Sequence, residues 1–102
     1  MPNVHVSWEV PETRESGLPL PTNEIDSVVI ELSADGGNNF VEIQRFPPTV
    51  TSFTQTELEP GDWHFRGYVL DTAGRASAPV SASINIPDNS APGPLNSLNL
   101  SL

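Results

Sequence analysis

Apolar and polar residues alternate with a period of two in several short segments of the chain. In the first segment, Val4, Val6 and Trp8 alternate with His5 and Ser7. Successive side chains of a β-strand point to opposite faces, so this pattern predicts a strand with one face in a core. The same period, in runs rich in valine, isoleucine, threonine and aromatic residues, predicts further strands within residues 25–33, 40–46, 51–56, 63–69 and 79–86.

The segment 58–69 is the strongest of these signals because it joins a Pro60-Gly61 turn to a strand that begins at Trp63. After the turn, one face is apolar and the other carries His64, Arg66 and Tyr68. We expect five of the aromatic side chains to lie in the core: Trp8, Phe40, Phe53, Trp63 and Phe65. We expect Tyr68 and Phe46 to be exposed and available for contacts with a partner.

Turn residues separate the predicted strands, and helix signals are almost absent. Eleven prolines and seven glycines interrupt the sequence, and no window of ten residues shows uninterrupted helical periodicity. The run 35–38 (Asp-Gly-Gly-Asn) predicts a hairpin, and the run 71–74 (Asp-Thr-Ala-Gly) predicts another turn. Residues 9–24 predict a long loop that Leu18 and Leu20 attach to the body. The pattern therefore indicates an all-β fold, a sandwich or a barrel.

Composition limits the partners more than it defines them. A chain of 102 residues has the size of one domain, and the absence of cysteine excludes disulfides and thiolate metal sites. Thirteen acidic residues oppose four arginines, for a net charge of −9. Such a surface repels phosphate groups, so we expect no nucleic-acid partner, and apolar runs are too short for membrane insertion.

We find no combination of residues that predicts catalysis or a cofactor. His5 and His64 are the only histidines, and the strand pattern places them on outward faces of different sheets, where they cannot share a metal ion or a proton. The Asp71-Thr72-Ala73-Gly74 segment has an inserted alanine relative to the Asp-Thr-Gly of aspartic proteases, and a turn explains it. We therefore expect a protein that is not an enzyme, with no cofactor and no metal.

Taken together, these segments resemble a fibronectin type III domain over residues 3–87. Val4-x-Val6-x-Trp8 is similar to that family's strand B, residues 28–37 to strand C and its hairpin, residues 52–65 to strand E and the turn into strand F, and residues 77–80 to the start of strand G. The resemblance implies an immunoglobulin-like β-sandwich. At the position where the family usually has a tyrosine whose hydroxyl bonds back to the turn, this chain has Trp63, which keeps the aromatic area and lacks that hydroxyl.

A second departure concerns the family's strand A, which we expect to be missing because only three residues precede Val4. Residues 88–94 have the composition of a Pro/Gly linker, and residues 95–102 form a strand-like arm that resembles the strand A of a following domain. We expect residues 1–87 to form the sandwich, with strand B as an open edge. The arm of one subunit then has a place to pair with strand B of another, head to tail.

The residues assigned to this hypothetical interface lie on the arm, on strand B and on the outer face of strand F: Leu95, Leu98, Leu100, Leu102, Val4, His5, Arg66 and Tyr68. A disordered tail, a truncated tandem repeat and docking on a different protein remain alternatives for the arm.

The resemblance extends, at the level of pattern, to type III modules of tailed-bacteriophage virions. It implies a structural protein of the tail, tail tip or capsid decoration, located in the phage particle. Its expected partners are other virion proteins, copies of itself, or a glycan or protein of the host surface. The alternative is a spacer or carbohydrate-binding accessory module of a secreted bacterial enzyme or adhesin, at an extracellular or cell-surface location. An exposed aromatic platform, which the sequence does not indicate, would favour this alternative.

Overall fold

Strands make up nearly all of the regular structure, as the alternating pattern predicts. A computed structural model describes residues 3–88 and 90–102. Its elements are β1 (Val4–Ser7), a 3-10 helix (Thr22–Glu24), β2 (Ile25–Ser33), β3 (Val41–Phe46), β4 (Ser52–Gln55), β5 (Gly61–Asp71) and β6 (Val80–Ile86).

The strands form two antiparallel sheets of unequal size. The smaller sheet has the order β1-β4, and the larger has the order β3-β2-β5-β6. In the smaller sheet Val6 lies opposite Phe53, and in the larger sheet Phe65 lies opposite both Leu32 and Ala82. This confirms the all-β, two-sheet prediction, and the arrangement is compatible with an immunoglobulin-like sandwich.

Inward side chains of both sheets form one hydrophobic core, to which β1, β2, β3, β5, β6 and the β4-β5 connection contribute buried residues: Val4, Val28, Ile30, Phe46, Leu58, Phe65 and Ile86. Phe53 of the smaller sheet and Trp8, which follows β1, pack against this core. The ring of Phe46 lies 5.2 Å from that of Trp8 and 5.2 Å from that of Phe53, measured between centroids. The expectation that Phe46 is exposed is therefore wrong. Phe46 faces inward because it pairs with the inward residue Val28.

Phe40 lies outside this core, so the expectation that it is a core residue is also wrong. Its ring lies 4.1 Å from the Cζ atom of Arg66, in the geometry of a cation–π contact. The Arg66 Nε–H donates to Glu31 Oε1 over 2.7 Å. A bulge between Ile30 and Glu31 shifts the register of β2 against β3, and a shift of one residue reverses the faces of a strand.

The predicted hairpin between β2 and β3 is present. Gly36 and Gly37 have φ angles of 77° and 87°, a conformation that other residues adopt at a cost. The Asp35 carboxylate accepts hydrogen bonds from the Ser33 hydroxyl and from the backbone N–H of Asn39. These bonds, that of Ser33 foremost, hold the pKa of Asp35 well below its usual range.

Trp63 lacks the tyrosine hydroxyl but makes a hydrogen bond of its own to the turn. Its indole Nε1–H donates to the backbone carbonyl of Glu59, four residues upstream, over 2.8 Å. Because the indole N–H is itself a hydrogen-bond donor, the absence of the hydroxyl does not leave the turn without a side-chain bond.

Residues 90–102 are exposed and contain no assigned strand. They extend from the exit of β6 and give the molecule dimensions of 84 × 24 × 18 Å and a radius of gyration of 20.3 Å. A compact domain of this length has a radius of gyration of about 13 Å. No helix in the described parts of the chain is long and apolar enough to cross a membrane.

Candidate strand-docking groove

The smaller sheet has two strands and the larger has four, so part of the larger sheet's inner face has nothing above it. Phe65 and Ala82 are cross-strand neighbours on that face. Phe65 is 8% exposed, whereas Val80, two residues before Ala82 on the same face of β6, is 78% exposed, and Ile84 is 42% exposed. Apolar residues on the inner face of a sandwich are normally covered by the opposing sheet. The outer edge of this core is therefore open.

The opening is a groove of about 510 Å³ between β1 and β6. Val6 and Trp8 form the side that belongs to the smaller sheet, and Val80 and Ala82 form the opposite side. Val28, Ile30 and Phe65 also line it. We call this space the groove. Its walls are largely apolar, so an apolar segment that entered it would lose contact with water favourably.

The groove runs along a free sheet edge. Strand β1 pairs with β4 on one side, and no other strand of the described residues pairs with it. The backbone groups on its other side are available to a further strand. An incoming strand therefore finds main-chain hydrogen bonds and an apolar cavity side by side, which is the combination used in strand addition.

The long loop of residues 9–21 forms one end of the groove through Glu9, Val10 and Pro11. Arg14 attaches this loop to the larger sheet because its guanidinium donates to Asp71 Oδ2 over 3.1 Å and to Glu24 Oε2 over 3.0 Å. Leu18, which we expected to attach the loop, is exposed. The expectation is wrong for Leu18 because the attachment is polar.

Asp71 organises this end of the molecule. Its side chain is largely buried and accepts from the backbone N–H groups of Ala73 and Arg75 as well as from the guanidinium groups of Arg14 and Arg75. The backbone bond from Arg75 is the main reason why the pKa of Asp71 is lowered to about 2. The carboxylate thus uses its hydrogen bonds to hold the turn and the loop in place.

Two of the predicted interface residues lie on β1 beside the groove. Val4 is buried in the core, so its backbone and not its side chain is available at the strand edge. His5 is exposed, and its Nδ1 atom lies 3.0 Å from the Thr54 hydroxyl oxygen across the smaller sheet. His64 lies on the larger sheet, so the two histidines are on different sheets.

Arg66 and Tyr68 of β5 also border the groove. Both are half-buried, and the guanidinium of Arg66 is held by Glu31 and by the ring of Phe40. Tyr68 lies opposite Val29, a residue that is fully buried although it alternates with the core residues Val28 and Ile30. The guanidinium of Arg66 is thus held by two residues of its own chain.

The four remaining predicted interface residues are the leucines of the arm: Leu95, Leu98, Leu100 and Leu102, all largely exposed. None of them lines the groove of their own chain. Four apolar side chains exposed within eight residues are unusual for a protein surface.

Sequence reasoning missed the residues that make the groove apolar, namely Val6, Trp8, Val80 and Ala82. The alternation identified each of them as inward-facing. The number of strands in each sheet is the signal that would have shown that they are uncovered. An inner face of four strands opposite two leaves one flank uncovered.

Among residues 3–88 and 90–102, no three histidine, aspartate or glutamate side chains are close enough together to hold a metal ion. The buried carboxylate of Asp71 is bonded to its own turn and loop. The candidate site is therefore the groove beside the free edge of β1.

No protein-family model matches this chain, and no curated protein matches it significantly. Function is therefore inferred from the fold and the groove.

Proposed function

We propose that this protein is a non-enzymatic structural module of the fibronectin type III kind that assembles by docking an extended strand into the groove. The observation that carries the proposal is the coincidence of an open core flank, exposed at Val80, with the free edge of β1. A docked strand covers the apolar flank and pairs with the edge in one step.

The order of strands supports the type III assignment. With β1, β2, β4, β5 and β6 matched to strands B, C, E, F and G, strand B lies beside E, and C, F and G are neighbours. Immunoglobulin-type sandwiches have these neighbours. The hydrogen bond from Trp63 to Glu59 supports it further, because it fixes the same turn that a corner tyrosine fixes in such domains.

The setting that we propose is the virion of a tailed bacteriophage, in the tail, tail tip or capsid decoration. A symmetric particle contains many copies of each component, and a module with a donor segment and an acceptor groove suits such repeated contacts. The net charge of −9 fits a partner that is protein and not nucleic acid. Other virion proteins and copies of this chain are the expected partners.

Quantitative mass spectrometry of particles tests the setting. Particles purified by density gradient from the phage that encodes this sequence are expected to contain the protein in a fixed ratio to a major tail or capsid protein. Particles that lack it contradict the proposal. A gene position beside a glycosidase gene, with no virion genes nearby, would favour an accessory module of a secreted enzyme instead.

A further inference from the structure

We propose that the occupant of the groove is the arm, residues 95–102, of a second copy of this chain, running antiparallel to β1. This inference rests on the proposed function, a strand-docking module, and identifies its partner. The direction of the strands, the place of the groove and the composition of the arm support it.

The register of the strands defines the two ends of the sandwich. Ile86, at the end of β6, lies opposite Gly61, at the start of β5. Val4 lies opposite Gln55, which a connection of residues 56–60 joins to Gly61. Val4, Gln55, Gly61 and Ile86 therefore share one end, which we call the exit end because the arm leaves from it. The opposite end carries Asp71 and is called the loop end.

The groove lies toward the loop end and not the exit end. It is lined by Val6 of β1, by Trp8 just after β1, and by Val80 and Ala82 of β6, all displaced from Val4 and Ile86 toward the loop end. Strand β6 from Val80 to Ile86 spans about 20 Å at the usual rise per residue. The chain's own linker thus begins about one strand length away from the groove, and the molecule's length of 84 Å shows that linker and arm extend beyond the body.

Direction favours an arm from another molecule. Strand β1 runs from the exit end to the loop end, so an antiparallel partner runs from the loop end to the exit end. Suppose that a second copy lies beyond the exit end of the first, with its loop end facing the first copy. An arm that leaves the first copy and continues in the same direction then enters the second copy at its loop end. It then lies antiparallel to β1 without reversing its course. The chain's own arm would have to turn back to reach the same place.

The arm has the composition of an inserted strand. Leu98, Leu100 and Leu102 alternate with Asn99 and Ser101, so an extended conformation presents one apolar and one polar face. In the docked strand the apolar face contacts the apolar walls of the groove, and the polar face is exposed to solvent. Residues 90–102 carry no charged side chain, so the arm approaches a body of net charge −9 without the repulsion that two such bodies have for each other.

Length is sufficient as well. The linker of residues 88–94 spans up to about 23 Å when extended, and the eight residues of the arm span about 26 Å more. The linker can therefore pass the loop end of the second copy before the arm reaches the groove. Each copy has one arm and one groove, so the contact is heterologous and head to tail, and it builds a filament or closes into a ring.

The test uses two variants of the full chain, each with a matched control. The arm variant carries Leu98→Asp with Leu100→Asp, and its control carries Asn99→Asp with Ser101→Asp, which adds the same charges to the other face of the arm. The groove variant carries Val80→Asp. Its control is Val41→Asp, because Val41 is similarly exposed at 68% on the far edge of the same sheet and does not line the groove.

Sedimentation velocity over a concentration series measures assembly. The unmodified protein is expected to form larger species as its concentration rises. The arm and groove variants are each expected to weaken this association on the order of tenfold or more, because each places an unpaired carboxylate in an apolar contact. Both controls are expected to associate as the unmodified protein does.

A mixture of the arm variant and the groove variant tests directly whether the arm of one copy binds the groove of another. One partner then supplies an intact groove and the other an intact arm, so the mixture is expected to form one-to-one dimers that do not grow. A protein that stays monomeric to about 1 mM overturns the inference, as do controls that disrupt association equally or a mixture that stays monomeric. Protection of arm amides from hydrogen exchange in a monomer would assign the groove to the chain's own arm and also overturn it.

The two proposals fail separately. If particles contain the protein but the unmodified chain is monomeric and the arm variant is incorporated normally, the second copy is not the occupant and the virion function stands. If particles lack the protein, the virion function fails whatever the state of association.

Discussion

Replacement of Phe46 and of Phe40 by leucine distinguishes the core from the outer face of the larger sheet. Phe46 is buried and has ring neighbours on two sides, Trp8 and Phe53, each at 5.2 Å. Each aromatic pair contributes about 0.5–1.5 kcal/mol beyond its buried area. The Phe46→Leu substitution removes both pairs and keeps an apolar side chain, so it is expected to lower the free energy of unfolding by about 1–3 kcal/mol.

Phe40→Leu removes one contact of a different kind. The Phe40 ring holds the Arg66 guanidinium from one side, and a cation–π contact at an exposed site contributes about 0.5–1 kcal/mol. Arg66 also keeps its hydrogen bond to Glu31. Phe40→Leu is therefore expected to cost less than Phe46→Leu, although the chemical change is identical.

Urea denaturation followed by far-ultraviolet circular dichroism measures both effects. A domain of this size has a total stability of about 5–15 kcal/mol, and 1 kcal/mol shifts its melting temperature by about 4–8 °C, so the difference is measurable. Both substitutions are made in the arm variant, which carries Leu98→Asp and Leu100→Asp, so that association between copies does not add to the measured stability. A larger cost for Phe40→Leu than for Phe46→Leu would refute the assignment of Phe46 to the core.

Single contacts at Trp63, Asp71 and Arg14 each support a further prediction. Trp63→Phe is expected to cost about 0.5–1.5 kcal/mol more than Trp63→Tyr in urea denaturation, because only tyrosine keeps a donor for the Glu59 carbonyl; equal costs would show that the bond contributes nothing. The pKa of Asp71 is lowered to about 2 by its backbone bond from Arg75 and by the two guanidinium groups, so the stability it contributes is complete above about pH 4 and is lost as the pH falls toward 2. The difference in urea midpoint between the unmodified protein and Asp71→Asn should therefore shrink over that range, and a constant difference would contradict the assignment. Arg14→Gln is expected to release the loop of residues 9–21, seen as faster proteolysis within it, whereas Arg45→Gln, which removes the exposed pair with Glu42, should leave proteolysis unchanged; equal rates for Arg14→Gln and the unmodified protein would count against the polar attachment.

The sequence was sufficient to predict the strands because alternation is a local property. Strand β2 begins at Ile25 and ends at Ser33, the bounds that its run of apolar residues indicates. Phe40 and Phe46 show where local reasoning stops. Six residues apart, they would share a face in an unbroken strand, and the bulge opposite Ile30 and Glu31 places them on opposite faces. The bulge depends on how β2 and β3 pair, which alternation does not encode.

The groove depends on tertiary arrangement in the same way. Alternation marks Val80, Ala82 and Ile84 as one face of β6, and in most sandwiches such a face is buried. Their exposure follows from the number of strands in the opposing sheet and from the side of that sheet on which β1 lies. The arm is recognisable from its own alternation, whereas the groove proposed for it depends on how all six strands are arranged.

The short pairing between β1 and β4 has a consequence for local stability. These strands share four residue pairs, while β2 is paired along both of its edges. A two-stranded sheet is marginally stable without packing, and regions with few interstrand bonds open at a lower free energy than the global transition. Amide exchange should therefore be faster in β1 and β4 than in the other strands, and a strand added at the free edge of β1 slows exchange in this least protected sheet.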